Sequence, residues 1–346
     1  MMGHEQQATQ YGRGIPRSNN RQRTPMRTNK HGTRIPIALA LMALALMPRM
    51  VRAQQDPQFT QYMFNLLAIN PAYAGSAERV SLKALSRHQW VGFAGAPTTQ
   101  TLTVHSPFLM ESLGLGGTIM RDEHGPVTQY GFMVDVSYRM FLSRNTKLAF
   151  GIKGGMNLFQ GKFADLNPLQ QNDQVFQQNV QQKLDPQFGF GVMWYGDRHY
   201  LGLSTPKMLK TDMFKDATFS DSSVTSIWQA GQRAHWFLSG GYVFDMGMYT
   251  KFKPTFLVKA VNGAPMSFDL TANFLLYEKL WLGAMYRHSD AVGVLAQYNI
   301  TGDLSVGYAY DYPITKLNNY TGGSHEFMLG FEFGNKLKGI RSPRYF

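Results

Sequence analysis

Apolar and polar residues alternate along most of this chain with the period of a β-strand. In the stretch MSFDLTANFLL, Phe268, Leu270 and Phe274 fall at alternate positions. Asp269 and Thr271 occupy the positions between them. Successive side chains of a strand point to opposite faces. Stretches of this kind therefore predict strands with one apolar and one polar face.

Clusters of Gly, Asn, Asp and Pro separate these stretches and mark turns. The pattern predicts fourteen strands, at residues 79–90, 97–108, 113–121, 127–142, 146–159, 186–196, 199–205, 234–246, 249–260, 265–277, 279–288, 291–300, 304–312 and 324–334. Tight links, such as 143–146 and 301–303, alternate with longer ones, of which 160–185 and 206–233 are the longest. An even number of strands of about ten residues, with tight turns at one end, is typical of an outer-membrane barrel with periplasmic termini.

A soluble sandwich would alternate as well, but two further features favour the barrel. Aromatic residues gather near the predicted strand ends, where they would form an interfacial girdle; they are Trp90, Phe141, Trp194, Tyr195, Trp236, Tyr277, Trp281 and Tyr312. Glycines inside the strands would permit the bends of barrel closure; they include Gly114, Gly116, Gly117, Gly151, Gly154, Gly155, Gly189 and Gly191. The predicted fold class is an all-β transmembrane antiparallel barrel with a short periplasmic amino-terminal segment.

The first 53 residues read as a secretory signal. A basic region over 1–34 precedes an apolar run at 35–47, and the following sequence PRMVRA ends at Ala53. The apolar run has 13 residues, fewer than the roughly 20 that a membrane-spanning helix needs. We therefore predict cleavage after Ala53 and an outer-membrane location. The basic region is long for a signal, and translation could start at Met1 or at Met26.

Removing the leader changes the charge of the protein. The leader holds nine Lys plus Arg and one acid, a net charge of +8. The whole chain has a net charge of +12, so the mature protein keeps +4. The high isoelectric point therefore gives little support to nucleic-acid binding. The chain has no cysteine, so disulfides and thiolate sites are excluded.

Candidate catalytic and metal sites are weak. The nine histidines show no helical i, i+4 pairing, so no metal or other cofactor is expected. A hydrolase would need a serine, a histidine and an orienting group on neighbouring strands. Ser239 or Ser267 with His235 or His288 could be combined, but no spacing selects them. We therefore do not expect an enzyme.

The segment after the leader, residues 54–78, predicts one short amphipathic helix. Asp56 and Pro57 read as an N-cap and a first helical residue, and Asn70 before Pro71 reads as a stop. The apolar face consists of Phe59, Tyr62, Met63, Leu66, Leu67 and Ile69. Gln58, Gln61 and Asn65 would remain free on the opposite face. At the periplasmic mouth this helix could pack on the barrel as a plug or lid, or contact a partner.

The barrel proper is predicted over 79–334, and a tail of residues 335–346 follows it. The tail is basic, carries no acid and ends on two aromatic residues, so it could dock on an acidic periplasmic partner. The predicted contacts of both ends, with a plug or with a partner, are Asp56, Pro57, Phe59, Tyr62, Met63, Leu66, Asn70, Pro71, Tyr73, Lys336, Lys338, Arg341, Arg344, Tyr345 and Phe346.

The predicted inward face of the barrel carries charges of both signs. They are Lys251, Lys253, Lys259, Asp269, Arg287, Asp311, Glu326 and Glu332. Charges that can pair across a lumen favour a partly closed interior over a selective pore. A general diffusion porin nevertheless remains the alternative, because fourteen strands enclose a wide lumen.

Several long motifs occur in one order that resembles a known family. They are QDPQFTQYMFNLLAINPAYAGS, HWFLSGGYVF, KPTFLVKAVNGAP, DLTANFLLYEKLWLGAMYR, AVGVLAQYNI, GYAYDYPITKL and GSHEFMLGFEF. Over almost all of residues 54–334 the chain resembles the PorP/SprF family of type IX secretion system membrane proteins. The long amino-terminal extension and the glutamine-rich stretch 169–187 depart from the family pattern.

The resemblance implies a non-enzymatic barrel that anchors or gates a machine exporting proteins with a carboxy-terminal sorting domain. The implied partners are periplasmic and outer-membrane components of that machine. In some relatives a large surface adhesin and gliding motility are implied as well.

Overall fold

The protein is a closed antiparallel β-barrel. The computed structural model describes residues 57–108, 110–162, 180–209, 211–212, 231–262 and 264–334. The long strands are β1 Val80–His88, β2 Thr98–Phe108, β3 Met110–His124, β4 Val127–Phe141, β5 Thr146–Gly161, β6 Val180–Gly196, β7 His199–Thr205, β10 His235–Tyr242, β12 Thr250–Val261, β13 Ser267–Leu276, β14 Leu280–Arg287, β15 Ala291–Asn299, β16 Leu304–Pro313 and β17 Ser324–Phe333. Three two-residue strands complete the set: β8 Thr211–Asp212, β9 Gly231–Gln232 and β11 Phe244–Asp245.

Each long strand pairs with the long strands that precede and follow it along the chain. The barrel closes where β1 pairs with β17, with Val80 opposite Phe333. The short strand β11 continues β10 along β12, and β8 pairs with β9 outside the main sheet. The predicted fourteen-stranded antiparallel barrel is therefore confirmed.

Two strands are longer than the alternation predicted. The sequence predicts strands at 113–121 and 186–196, whereas β3 and β6 cover Met110–His124 and Val180–Gly196. The added part of β6 pairs through its backbone as far as Val180 opposite Gly161. The added residues of β3 include Asp122, Glu123 and His124, which are polar in succession, so this extension carries no alternating signal.

The strands carry apolar side chains outside and polar side chains inside. On β17, Phe327 is 51% exposed and Phe331 41%, whereas Glu326, the residue before Phe327, is fully buried. The buried set includes many Thr, Ser, Asn, Lys, Arg and Asp residues, while the exposed set is rich in Phe, Leu, Val and Tyr. This distribution is the inverse of a soluble protein and suits a barrel surrounded by lipid.

Two of the predicted girdle aromatics face the lumen instead. Trp194 is exposed, but Tyr195 next to it is buried because neighbouring residues of a strand point to opposite sides. Trp281 is buried for the same reason, since Leu282 after it is exposed. Phe141, Trp194, Trp236, Tyr277 and Tyr312 are exposed near strand ends as predicted.

The two ends of the barrel differ. Residues 142–145, 197–198 and 277–279 form short links at one end, which we call the tight-turn end. Residues 89–97 and 314–323 are among the links at the other end, the long-link end; the link between β7 and β10 also lies there, and most of it is outside the described residues. A short 3-10 turn, Lys316–Asn319, lies in the last long link. Among the described residues, no helix is long and apolar enough to cross a membrane.

We predict that the folded protein resists SDS until it is heated. A closed ladder leaves no strand edge from which unfolding can start. Electrophoresis of unheated and boiled samples should give two different mobilities, and far-UV dichroism should be that of β-structure. One mobility under both conditions, or a helical spectrum, would contradict the fold.

Candidate functional site

Residues 57–76 lie inside the barrel, and we call them the inner segment. Every residue from Phe59 to Ser76 except Ala68 is buried. The segment makes hydrogen bonds to β1, β6, β12 and β17, which lie around the whole wall. The lumen of the barrel is therefore occupied by the chain's own amino-terminal part.

The inner segment is not the single helix that the sequence predicted. It forms three 3-10 turns, Tyr62–Phe64, Leu66–Ala68 and Pro71–Tyr73. Asn70 caps the last of these turns rather than ending a helix, and its Oδ1 accepts a 2.9 Å hydrogen bond from the Ala72 amide.

The prediction was wrong because the lumen encloses the segment on all sides. Gln61 is 0% exposed and Asn65 4%, although both were expected to remain free. Gln61 Nε2 donates to the Glu326 carbonyl at 3.3 Å, and Asn65 Oδ1 accepts from the Thr103 hydroxyl at 3.0 Å. Wall groups on several sides thus satisfy polar atoms of the segment, and short turns take the place of a continuous helical ladder.

A charged cluster lies on the wall near the long-link end, formed by Arg87, Asp269, Arg287, Asp311 and Glu326. Arg87 reaches Asp311 at 2.8 Å and Glu326 at 3.0 Å. Arg287 reaches Asp269 at 3.1 Å and Asp311 at 3.6 Å. All five side chains are buried, so each charge depends on these partners for its solvation.

The inner segment completes this charged cluster. The amides of Thr60 and Gln61 donate to the two carboxylate oxygens of Glu326 at 2.9 Å and 2.8 Å. The Thr60 hydroxyl donates to Asp311 at 2.6 Å, and Gln58 Nε2 donates to Asp269 at 2.9 Å. The cluster contains three carboxylates and two guanidinium groups, and these donors from the segment offset the excess negative charge.

Basic and hydroxyl side chains of the wall bind carbonyl groups along the rest of the segment. Lys83 donates to the Phe64 carbonyl, and Lys153 donates to the Leu67 carbonyl at 3.3 Å. Further along, Arg139 donates to the Gly75 carbonyl; the remaining hydroxyl contacts are Ser204 to the Ile69 carbonyl at 2.7 Å and Ser137 to the Ala74 carbonyl at 2.6 Å. The wall therefore recognises main-chain atoms as well as side chains.

Glycines on the inner wall make room for the segment. A Cβ atom on Gly151 would lie 2.2 Å from the Ala72 nitrogen, and one on Gly114 would lie 2.2 Å from the Ala74 carbonyl oxygen. Their positions inside strands predicted a role in the bends of barrel closure. Their contacts give them a second role, because any side chain there would collide with the backbone of the segment.

Aromatic side chains anchor the middle and the carboxyl end of the segment. Phe64 packs edge-on against Trp281 at a centroid distance of 5.7 Å, and Lys253 Nζ lies 4.9 Å from the centres of both rings. The Tyr62 hydroxyl lies 2.8 Å from the Thr255 hydroxyl. Tyr73, the last aromatic residue of the segment, packs edge-on against His105 at a centroid distance of 5.1 Å. Aromatic contacts with the wall therefore hold both parts of the segment.

The segment runs along the length of the lumen. Gln58 and Thr60 bond to residues at the long-link ends of β13, β16 and β17. Two residues beyond its other end, Glu78 accepts a 2.8 Å bond from Lys147, which follows a tight turn. A cavity of about 60 Å³ remains beside the segment, bordered by Pro57, Phe59, Thr118, Met133, Lys153 and Lys207 among others.

The predicted contact residues fall into two groups, those before β1 and those of the tail 335–346. The structure brings together the group before β1. Phe59, Tyr62, Met63, Leu66, Asn70, Pro71 and Tyr73 are all buried in the lumen, and Pro57 borders the cavity. Asp56, Lys336, Lys338, Arg341, Arg344, Tyr345 and Phe346 lie outside the described residues.

Sequence reasoning missed the wall residues that hold the segment, above all Arg87, Lys83 and Arg139. Strand alternation would have assigned Lys83 and Arg87 to the inward face, because they share parity with the buried Leu85. The glycines at inward positions, such as Gly151, were a second signal of a closely packed chain.

The candidate catalytic and metal-binding residues of the sequence can be placed in the structure. No group of three or more His, Cys, Asp or Glu side chains among them could hold a metal ion. Ser267 bonds to Gln58 and Asp269, and His235 Nδ1 faces the Arg233 carbonyl at 2.8 Å. Within the described hydrogen bonds, neither Ser239 nor Ser267 is joined to His235 or His288.

The fold and the lumen define an outer-membrane β-barrel whose interior holds its own amino-terminal segment. The sequence profile described as type IX secretion system membrane protein PorP/SprF matches residues 51–331. The chain therefore belongs to the PorP/SprF family, as the resemblance of its motifs predicted. Membership makes it a membrane component of type IX secretion.

Comparison with solved structures finds other barrels at low similarity. The Acinetobacter baumannii outer membrane protein Omp33 is 10% identical, with 74% of this chain and 98% of that chain covered and a TM-score of 0.43. A FadL homologue of Pseudomonas aeruginosa is 12% identical, with 82% and 95% covered and a TM-score of 0.38. The KdgM porin is 7% identical, with 74% and 99% covered and a TM-score of 0.33. A comparison with curated protein sequences finds no match.

We predict that Glu326→Gln loosens the amino-terminal end of the inner segment. The substitution removes the carboxylate that accepts hydrogen bonds from the Thr60 and Gln61 amides, and a hydrogen bond to a charged group contributes about 1.5–3 kcal/mol. Hydrogen exchange at these two amides should become faster, and the free energy of unfolding should fall by about that amount.

Glu332→Gln is the matched control for this substitution. Glu332 is half-buried and pairs with Arg79 at 2.5 Å, but the bonds to the Thr60 and Gln61 amides come from Glu326. Exchange at these two amides should stay as in the unchanged protein. Equal exchange rates in both variants would show that Glu326 does not fix the segment.

Proposed function

We propose that this protein is a non-enzymatic anchoring or gating component of the type IX secretion machinery, with a lumen kept closed by the inner segment. The observation that carries the proposal is the occupied lumen. Wall residues bind the segment from Gln58 to Gly75, along the length of the barrel. A barrel filled in this way is suited to anchoring other proteins at the membrane, because it has no open path for solutes.

A general diffusion porin is the second candidate. The cavity beside the inner segment, about 60 Å³ in volume, is the observation that favours it. A space of this size holds only a few water molecules. Lys153, which borders this cavity, already pairs with Asp135 at 3.3 Å and donates to the Leu67 carbonyl of the segment, so we favour the anchoring or gating role.

The family suggests the partners and the location. We propose an outer-membrane protein whose leader is removed after Ala53 and whose periplasmic face contacts the secretion machinery. A secreted protein with a carboxy-terminal sorting domain, or an adhesin of the gliding apparatus, is a further candidate partner at the outer face. The tail 335–346, which is basic and ends on aromatic residues, is our candidate for contact with an acidic periplasmic surface.

The proposed orientation gives the inner segment a direction. Outer-membrane barrels have short periplasmic turns and longer outer loops. With this orientation, Glu78 lies near the periplasm and Pro57 near the outer mouth. The sequence analysis expected the whole segment at the periplasmic face.

We predict that the purified protein conducts almost no current in planar bilayers, and that Gly151→Val opens a conductance. A side chain at residue 151 would collide with the backbone near Ala72 and displace the inner segment. Gly154→Val on the same strand is the matched control, because a Cβ there meets nothing within 4 Å. Steady open channels in the unchanged protein would instead support the diffusion porin.

We predict that deleting residues 335–346 leaves a heat-modifiable barrel in the membrane but reduces secretion and the recovery of periplasmic components. A second variant with Lys336, Lys338, Arg341 and Arg344 changed to Gln, and with Tyr345 and Phe346 retained, separates charge from aromatic contact. Cargo in the medium and co-purified proteins are the measurements. Normal values for both variants would reject a docking role for the tail.

We predict that a single cysteine replacing Pro57 is labelled on intact cells by a membrane-impermeant maleimide. The chain has no native cysteine, so the label reports one position. Met248→Cys, in an exposed tight turn, is the control and should react only after permeabilisation. An epitope near Gln178 or Ser222 in the long links should stain on intact cells. The reverse pattern would mean that the orientation is inverted.

A further inference from the structure

The wall of the lumen recognises the main chain of the inner segment at many points. Glu326 accepts from two consecutive amides, those of Thr60 and Gln61. At the other end, His105 Nδ1 accepts from the Gly75 amide at 3.1 Å, while Arg139 donates to the Gly75 carbonyl. Between these ends, wall side chains donate to the carbonyls of Phe64, Leu67, Ile69 and Ala74. Donors and acceptors placed in this way match a polypeptide backbone rather than a sugar or a small solute.

The shape of the wall fits a peptide as well. Gly114 and Gly151 leave space where the backbone of residues 71–74 lies against the sheet. Gly191 and Gly307 do the same for the side chains of Asn70 and Gln61. Side chains at these four positions would fill the space on the wall that the inner segment occupies.

The side chains of the segment add sequence selectivity. Tyr62, Met63, Leu66 and Leu67 are each at most 1% exposed. Burial of such apolar side chains stabilises the bound segment. The hydroxyl of Tyr62 and the amide of Asn70 also meet specific partners on the wall, Thr255 at 2.8 Å and the Val192 carbonyl at 3.2 Å.

We propose that the lumen wall is a polypeptide-binding site in its own right, and that residues 57–76 are its resident ligand. Only the short stretch Ala77–Arg79 joins the inner segment to β1. A short flexible tether supplies an effective concentration on the order of millimolar. The contacts described above add to that effect and hold the peptide by themselves. The ligand class is a peptide that combines Thr-Gln-Tyr-Met with a following Asn-Pro, as in this segment.

The site explains how the lumen can be both closed and exchangeable. A wall that binds a peptide in this way can release its resident segment and accept the same segment from solution, without any change in the sheet. The inference extends the proposed gating role. Binding is measured on purified barrel, so its outcome is independent of whether the protein serves secretion.

The first experiment removes the resident ligand. A barrel lacking residues 54–76 is refolded in detergent, and its heat-modifiable mobility is checked. A synthetic peptide of residues 54–76 with a fluorophore at its amino end is titrated against it. We expect saturable one-to-one binding, displaced by unlabelled peptide but not by a scrambled peptide of the same composition.

Wall substitutions in the same shortened barrel test the site. Gly151→Val should weaken binding at least about tenfold, which corresponds to about 1.4 kcal/mol. Gly154→Val should leave the affinity unchanged, because its side chain meets open space. Absence of binding to a folded shortened barrel, equal binding of the scrambled peptide, or equal loss in both variants would overturn the proposal.

A second experiment covers a shortened barrel that does not fold. A protease site is inserted between Ser76 and Ala77 of the full-length protein, and the folded barrel is cleaved in detergent. We expect the cleaved fragment to co-elute with the barrel on gel filtration and to be exchanged by labelled peptide. Loss of the fragment on cleavage, with no rebinding of labelled peptide, would overturn the proposal, as would a retained fragment that never exchanges.

Discussion

The solvation of buried charge inside the lumen is the constraint on which the rest of this structure depends. Arg87, Asp311 and Glu326 lie within a closed barrel and have no bulk water to solvate them. Their mutual ion pairs do not use every hydrogen-bond acceptor site of the carboxylates. The amides of Thr60 and Gln61 donate to the remaining sites on Glu326. The inner segment and the wall are therefore two halves of one polar network, and neither half is satisfied alone. The glycines that lie against the segment, and the turns that the segment forms, allow these two halves to come into contact.

The same constraint explains the inverted composition of the barrel. In this barrel, the inner segment supplies partners for the many polar side chains that face inward. Apolar residues such as Phe327 are correspondingly free to face outward, where lipid rather than water receives them. The sheet thus separates lipid outside from a polar, peptide-filled interior. Because successive side chains of a strand point to opposite faces, the position of a residue along its strand decides which side it meets.

Strand alternation predicted the barrel well because it is a local property. Whether Asp269 or Phe268 faces inward depends only on its position within one strand, and no other part of the chain is needed to read it. The conformation of the inner segment depended on something else. The spacing from Phe59 to Ile69 suits a helix with one apolar side, yet an enclosing wall offers partners on every side and favours separate turns.

Partners across the lumen were also out of reach of the sequence. Thr60 and Glu326 are 266 residues apart, and parity fixes the face of a residue but not its height in the barrel. Wall residues such as Lys83 and Arg139 were likewise inward by parity, yet only the structure shows which carbonyls they meet. The inward glycines carried information about these contacts, but strand bending accounted for them equally well.

The contact between the inner segment and β17 has a consequence for the order of folding. The barrel seam joins Val80 to Phe333, so its closure waits for two parts of the chain that are far apart. Non-local pairing of this kind slows folding. The segment directly precedes β1 and binds Glu326 on β17. One short peptide therefore contacts both strands of the seam. Because the segment binds both β1 and β17, it holds the two sides of the seam together while the last pair of strands forms, and residues 57–76 act as a template for the register between β1 and β17.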